Sequence, residues 1–593
     1  MPQYSTEKED LLRYIDEWSK EVYGPVFSYR PGQKEAVCDI LYAWLHDADD
    51  IILDAPTGTG KSIIALSVAG VLNKYFHKEG YILISDLSLM EQYDRDLTKY
   101  FPNWALLKGQ QNYTCSQNGL PFPSGVCQTN NCKSYGDIEQ KYADCSGSCE
   151  YIQLRKKAVS SPVLVCTYSF WLLQQNYVKQ RVDNPPFGDR DFIICDEAHK
   201  LQSIVQSHFS PKFGKEDFTK ILAVRNFIDN ASVGDWKEYT DLRNEIFSET
   251  DNEKILKLLN KYCALLSELT FKTENIRREI VKCAKDIGHM GKEDQTILRA
   301  CNFVDSHYET FMEYIDIIDN IGEYALVKND SEKDTITFNC LDESYLMSNY
   351  FRSNCGKRMY MSATIGDPDA FSHDVAITGK KFYLRMPSVF DYTMSPIFFI
   401  KNYELSYRKK DYSLPYIVRM IDGVLDMYKN FRGIIQTGSY AFAKTLKESL
   451  SKENAKRIIL YEDSASKNES LELYKISENR VLVGPSLIEG LSFDDDLCRF
   501  QIIMKVPYPS LADKFVAAKM KYDNQWYSNT TAISILQGVG RGVRNMSDWC
   551  VTFILDGCFL RLFQMSYKMF PPEFCQRIKV LDSNILLNNQ NNS

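Results

Sequence analysis

The stretch Ile51-Ile52-Leu53-Asp54-Ala55-Pro56-Thr57-Gly58-Thr59-Gly60-Lys61-Ser62-Ile63-Ile64-Ala65-Leu66 reads as a strand, a Gly-rich turn and a helix. Four residues, Ile51 to Asp54, make a short buried strand, and Ile63 to Ala69 continue as the helix. A turn of this kind aims backbone N–H groups and the positive helix end at phosphate oxygens. Lys61 then reaches the outer phosphates of a nucleoside triphosphate, and the Ser62 hydroxyl can ligate magnesium. Ala55, Thr57, Gly58, Thr59 and Gly60 supply the cradle. Ala55 stands where the common pattern has its first glycine, which weakens a bare pattern match.

Working outward, Phe192-Ile193-Ile194-Cys195 runs into Asp196-Glu197-Ala198-His199. Four apolar residues followed by two acids describe a buried parallel strand whose carboxyl end meets solvent, where open α/β sheets bind ligands. Asp196 is expected to hold the magnesium that Ser62 touches, and Glu197 to position or deprotonate the attacking water. Far downstream, Gln537-Gly538-Val539-Gly540-Arg541-Gly542-Val543-Arg544 places two arginines three apart on one helix face. Such a pair suits the γ-phosphate and the charge of its transition state. Ser362-Ala363-Thr364 follows the apolar Met359-Tyr360-Met361, and Val481-Leu482-Val483-Gly484 joins a strand to a polar loop running to Ser492. Gln33, in Tyr29-Arg30-Pro31-Gly32-Gln33, lies upstream, where an amide could read both edges of adenine.

The phosphate loop, Asp-Glu-Ala-His, Ser-Ala-Thr and Gln-x-x-Gly-Arg-x-x-Arg, in this order along nearly the whole chain, resemble superfamily-two helicases of the DEAH type. The resemblance implies an α/β fold of two RecA-like parallel-sheet lobes that close on ATP. Arginines of the second lobe would complete the site only on closure, coupling chemistry to motion.

The chain has 17 cysteines, of which Cys115, Cys127, Cys132, Cys145 and Cys149 cluster. The rest sit in apolar runs such as Val165-Cys166 and read as small buried hydrophobes. No signal peptide or membrane-spanning run is visible, so a reducing cytoplasmic, nucleoid-associated or (in a eukaryote) nuclear compartment is expected. Clustered thiols there mean metal, zinc or iron–sulfur, and spacing alone does not decide between them. The flanks do: Leu107-Lys108-Gly109-Gln110-Gln111-Asn112-Tyr113-Thr114-Cys115 and Cys149-Glu150-Tyr151 resemble those of the cluster domain in the XPD and DinG helicases. The resemblance implies a 4Fe–4S cluster held by Cys115, Cys149, Cys145 and Cys127, with Cys132 as the alternative ligand. Gln110 and Glu150 depart from the family, which commonly has arginine and proline there.

At 593 residues the chain is too long for one core. A hydrophobic share of 44% and a charged share of 25% are those of globular protein. A net charge of −8 provides no overall basic field, so nucleic acid would need a local basic track. Aromatic residues, 13% of the chain, are compatible with base stacking, although most are expected in the core. Residues 1–107, 150–202 and 346–372 are expected to form the first lobe and 108–149 the metal-folded cluster insertion. Residues 203–345 carry helical periodicity and are expected to be an arch-like insertion, leaving 373–593 as the second lobe. No nuclease domain is expected ahead of the motor, and the Asn-rich end is expected to be disordered.

The resemblance implies an ATP-dependent DNA helicase moving 5′ to 3′ on single-stranded DNA and opening forked duplexes, with no membrane partner. Two alternatives stay open at this point: a DEAH-type RNA remodeller with a zinc site, and a scaffold that has lost ATPase activity.

Overall fold

The computed structural model describes residues 4–116, 119–122, 149–179, 184–228, 236–287, 292–329, 334–388, 392–461, 466–485, 495–540 and 548–587. The chain divides into two compact units. One comprises Met1–Ile204, Ser348–Pro509 and Asp523–Ser593; the other comprises Val205–Met347 and Ser510–Tyr522.

In chain order the first unit opens with strands β1 (Asp50–Asp54), β2 (Gly80–Ile84), β3 (Ala105–Leu107), β4 (Val163–Thr167) and β5 (Phe192–Asp196). The second unit contributes β6 (Lys212–Gly214), β7 (Tyr324–Asn329) and β8 (Thr335–Cys340). The first unit resumes with β9 (Lys357–Ser362) and β10 (Lys381–Arg385). It continues with β11 (Ile397–Phe399), β12 (Gly433–Gln436), β13 (Ile458–Leu460), β14 (Val481–Gly484), β15 (Phe500–Ile503), β16 (Val551–Ile554) and β17 (Ile578–Val580).

Two parallel seven-stranded sheets result, in the orders β10-β1-β9-β5-β2-β4-β3 and β13-β14-β12-β15-β16-β11-β17. Their inner strands are continuous apolar runs because helices cover both faces, and all five residues of β1 are buried. β1 nevertheless begins with a charge. Asp50 is fully buried and accepts from Arg358 Nε at 2.7 Å and Arg352 Nη1 at 2.8 Å, pinning the amino end of β1 to β9 and the turn before it. Burial opposes ionisation of Asp50, but the hydrogen bonds from Arg358 and Arg352 hold its carboxyl below the usual range. Such a pair costs little only because both partners are satisfied.

The last strand of the first sheet extends the expected first lobe. β10 pairs in parallel with β1, Asp50 opposite Lys381 through Asp54 opposite Arg385, so this sheet runs beyond residue 372. The boundary is hard to read from sequence because Lys381-Phe382-Tyr383-Leu384-Arg385 is half-buried and polar at both ends, as an edge strand is.

The second unit is largely helical, with long helices Asn252–Ile287 and Lys292–Asn320 beside a small antiparallel sheet ordered β6-β8-β7. Its core gathers Phe213, Phe218, Tyr262, Phe311 and Phe338. The helix Lys514–Tyr522, which lies between β15 and β16 in the chain, also belongs to this unit. Lys519 is buried there, paired with the equally buried Glu343 at 2.5 Å and donating to the Leu341 carbonyl.

Candidate nucleotide site

The carboxyl end of β1 feeds the turn Ala55–Gly60, and the helix Lys61–Phe76 starts directly after it. Gly58 and Gly60 have φ of 82° and 78°, a region L-residues seldom adopt. A Cβ on Gly60 would also lie 2.3 Å from Gln33 Nε2. Ala55 keeps φ outside that region, is fully buried and donates its N–H to Ser362 O at 2.9 Å. No glycine is therefore needed there, which explains the departure from the common pattern. Thr59 closes the turn through Oγ1 to Pro56 O at 2.7 Å, and Thr57 is half-buried on its rim. As at any helix start, the first N–H groups of Lys61–Phe76 have no intrahelical acceptor, so they can face an anion.

Around this turn stand three acids and one ammonium. Lys61 Nζ folds back to Ala55 O at 3.4 Å. Asp196, at the end of β5, is buried and accepts from the Tyr93 hydroxyl at 3.0 Å and from Glu197 N at 2.9 Å. Burial pushes the Asp196 carboxyl well above its ordinary value, the Glu197 charge pushes the same way, and Lys61 opposes. Ser62 is also buried, its Oγ accepting from Gln92 Nε2 at 3.1 Å. A buried carboxylate with only one nearby ammonium, beside a buried hydroxyl, fits a hard divalent cation that takes oxygen ligands. Asp54, the last residue of β1, is pushed by burial to about 6 against the charge of Arg385, whose Nε lies 3.7 Å away. Arg385 also pairs with Glu573, and the Tyr383 hydroxyl reaches Asp54 at 3.3 Å.

Glu197 has φ of 50°, a left-handed conformation unusual for a non-glycine residue. That turn starts a hydrogen-bonded line across the site. His199 Nδ1 lies 3.3 Å from Glu197 Oε2 and 2.8 Å from Ser362 Oγ. Ser362 Oγ lies 3.4 Å from Thr364 Oγ1, and Gln537 Nε2 donates to that hydroxyl at 3.5 Å. Gln537 is carried by the helix Asn524–Val539, whose start is capped by the Asp523 carboxylate. The second sheet's helix thus touches the Ser-Ala-Thr turn. Arg541 and Arg544 lie outside the described residues, as does the loop from Ser486 to Ser492.

Gln33 is buried and its amide is engaged at both ends: Nε2 donates to Thr59 O at 2.7 Å and Oε1 accepts from Arg30 N at 2.8 Å. In this conformation it braces the phosphate turn rather than presenting a free edge to a base. Sequence reasoning also passed over Tyr93, Gln92 and Arg385. The first two occupy one helix, Leu87–Tyr100, and no spacing rule in a single sequence marks which of its polar residues face Asp196 and Ser62.

Of the clustered cysteines, Cys115 and Cys149 are described and both are buried; Cys127, Cys132 and Cys145 lie outside the described residues. The two flanks are held together by rings, Tyr113 against Tyr151 at 5.3 Å and Phe122 against Tyr151 at 4.4 Å. Gln110 donates to the Tyr151 hydroxyl at 3.2 Å. Glu150 is the first residue of the helix Glu150–Ser160, a position where proline and acidic side chains are both favoured. Both departures from the family flanks are therefore accommodated. Cys115 and Cys149 are thus buried thiols next to paired flanks, and thiols are ligands for soft metals.

Fold and site together define a two-lobed motor driven by a nucleoside triphosphate. The sequence matches a helicase C-terminal domain over residues 428–573 and the res subunit of type III restriction enzymes over 26–226. It is 22% identical to the ATP-dependent DNA helicase YoaA of Escherichia coli, over 90% of this chain and 92% of that one. The same identity and coverage hold for the probable ATP-dependent helicase MJ0942 of Methanocaldococcus jannaschii. Among solved structures, the fold is similar to S. tokodaii Xpd4 with a TM-score of 0.58 and 14% identity, covering 93% of this chain and all of that one. It is also similar to an XPD helicase at 0.56 and 15%, covering 94% of this chain and all of that one. The domain-model matches and the helicase relatives support a superfamily-two helicase of the XPD/DinG type.

Proposed function

We propose that this protein is an ATP-dependent DNA helicase that translocates 5′ to 3′ on single-stranded DNA and separates forked duplexes. The observation that carries the reading is the line Glu197–His199–Ser362–Thr364–Gln537, which links the acid beside the phosphate turn to a helix of the second sheet. A site wired in this way supports coupling of hydrolysis to lobe movement. The DNA-helicase name of the Escherichia coli relative, which aligns over nine-tenths of both chains, supports the substrate.

In this reading Lys61, with the turn from Ala55 through Thr57, Gly58, Thr59 and Gly60, holds the phosphates, and Gln33 reaches adenine only if its amide releases the turn. Ser62 and Asp196 would hold Mg2+, which polarises the phosphoryl oxygens when bound. Glu197 orients water, while Gln537, Arg541 and Arg544 serve the γ-phosphate from the second lobe. Residues 108–149 form a 4Fe–4S domain ligated by Cys115, Cys127, Cys145 and Cys149, with Cys132 as the alternative; the helical unit is the arch. Among the described residues no helix is long and apolar enough to cross a membrane.

The test uses one anaerobic preparation. Hydrolysis stimulated by single-stranded DNA, with unwinding of 5′-tailed but not 3′-tailed duplexes and a broad visible absorption band, is the expected result. Stimulation by RNA alone, or zinc without colour, overturns it.

A further inference from the structure

The segment 401–419 combines ring faces and positive charge on the surface of the second sheet's lobe. It contains Lys401, Arg408, Lys409, Lys410 and Arg419 against Glu404 and Asp411, in a chain whose net charge is −8. Four tyrosines are interleaved with these cations. Tyr403 and Tyr416 stack with ring centroids 4.6 Å apart and planes 11° from parallel, and Tyr412 lies 5.5 Å from Tyr416. Arg419 lies over Tyr416, and Lys410 over Tyr407. Tyr407 is 87% exposed and Tyr412 68% exposed. Tyr412, Tyr416 and Arg419 recur at helical spacing on the helix Lys410–Met427, so they share one face.

This surface is held in place from below. The buried Asp556 carboxylate accepts from Leu405 N and Val506 N, each at 3.0 Å, and Gly557 N donates to the Tyr403 carbonyl. The segment leaves from the carboxyl end of β11, which runs parallel to β16 and β17. The rings and cations therefore rise from an anchored base.

We propose that Tyr407 and Tyr412, backed by the Tyr403–Tyr416 stack and flanked by Arg408 and Arg419, form a contact surface for a single-stranded polynucleotide, additional to the motor's own track. Exposed ring faces accept bases of any identity, and interleaved cations track the phosphates between them. The proposal rests on the helicase reading, and it supplies the local basic track that the overall charge withholds. The cations match the charge of a polynucleotide, and every base offers a π-face to the rings.

The experiment measures binding of fluorescent oligodeoxythymidylate and oligouridylate to the full-length protein, without nucleotide, over a range of salt. The double variant Tyr407→Ala/Tyr412→Ala should weaken binding about tenfold, while Tyr407→Phe/Tyr412→Phe binds as wild type because stacking needs only the ring. Arg408→Glu/Arg419→Glu should lower the slope of log affinity against log salt by about two phosphate contacts. ATP hydrolysis without nucleic acid should be unchanged in all three, and their melting temperatures should match wild type because the positions are exposed. Weakening on DNA but not RNA, or on both, supports the surface and identifies its strand. Wild-type affinity and slope in the alanine and glutamate variants overturn it, as does a shift in oligomeric state that marks a surface between copies. Failure of wild type to bind any single strand instead overturns the helicase reading itself.

Discussion

The turn after β1 and the turn after β12 are built to one plan and do different work. Each leaves an inner strand of a parallel seven-stranded sheet and starts a helix. After β1 the turn holds two left-handed glycines and ends in a helix start open to an anion. After β12 it is only Thr437-Gly438-Ser439, and its amides are consumed within the protein: Thr437 N by Gly484 O, Gly438 N by Pro485 O. Ser439 then caps the next helix by accepting from Phe442 N. The strand-end residues differ as well, a buried acid at Asp54 and a buried neutral amide at Gln436. A shared architecture therefore leaves chemistry to turn length and amide direction. The second lobe reaches the nucleotide site through a helix end, at Gln537.

That asymmetry can be broken most severely at Lys61. Lys61→Ala should abolish hydrolysis, a loss of about 4 kcal/mol or more of transition-state stabilisation, with circular dichroism unchanged because the side chain leaves no cavity. Near-normal turnover would put the phosphate turn elsewhere.

Glu197→Gln comes next. Nucleotide affinity should persist while single-turnover hydrolysis falls by a factor of about 100 or more, since Asp196 and Ser62 are untouched. Parallel loss of affinity and rate would make Glu197 a structural residue.

Asp54→Asn converts the end of β1 toward the Gln436 situation. The folded pKa of Asp54 is raised to about 6, above an unfolded value of about 4, so its contribution is fully present below about 4 and lost as pH rises through about 6. The asparagine variant should melt higher than wild type at neutral pH, by at most about 3 kcal/mol, and the two should converge near pH 4. Thermal melts across that range read it, and a constant gap would show that Arg385 compensates the charge fully.

The smallest effect belongs to the contact between lobes. Gln537→Ala removes one long neutral hydrogen bond to Thr364, which is worth about 1 kcal/mol. Hydrolysis should fall several-fold with nucleotide affinity for the first lobe unchanged. Loss of affinity instead would place Gln537 in ground-state binding.

How much of this was legible in sequence follows from how local each signal is. The phosphate turn and Asp196-Glu197 are contiguous, with a strand period on one side and a helix on the other, and their positions could be read directly. Tyr93 and Gln92 could not, because their partners lie about a hundred and about thirty residues away and depend on the rotation of one helix. β10 was obscured by its polar ends, and the engagement of Gln33 by the fact that an amide with two possible partners looks the same in sequence either way. The place of 510–522 in the helical unit could not be read either, because Lys519 pairs with Glu343, more than a hundred and seventy residues away.

That pair makes the helical unit a graft with two roots. One root leaves and rejoins the chain at Val205 and Met347, and the other is the short segment Ser510–Tyr522 with its helix. Exchanging 205–347 for a piece without an acid at the Glu343 position would strand Lys519 as a buried ammonium. Chimeras of this protein must move both pieces together. Gene fusion or deletion that respects only one root should yield protein that misassembles in the helical unit while its two sheets still form.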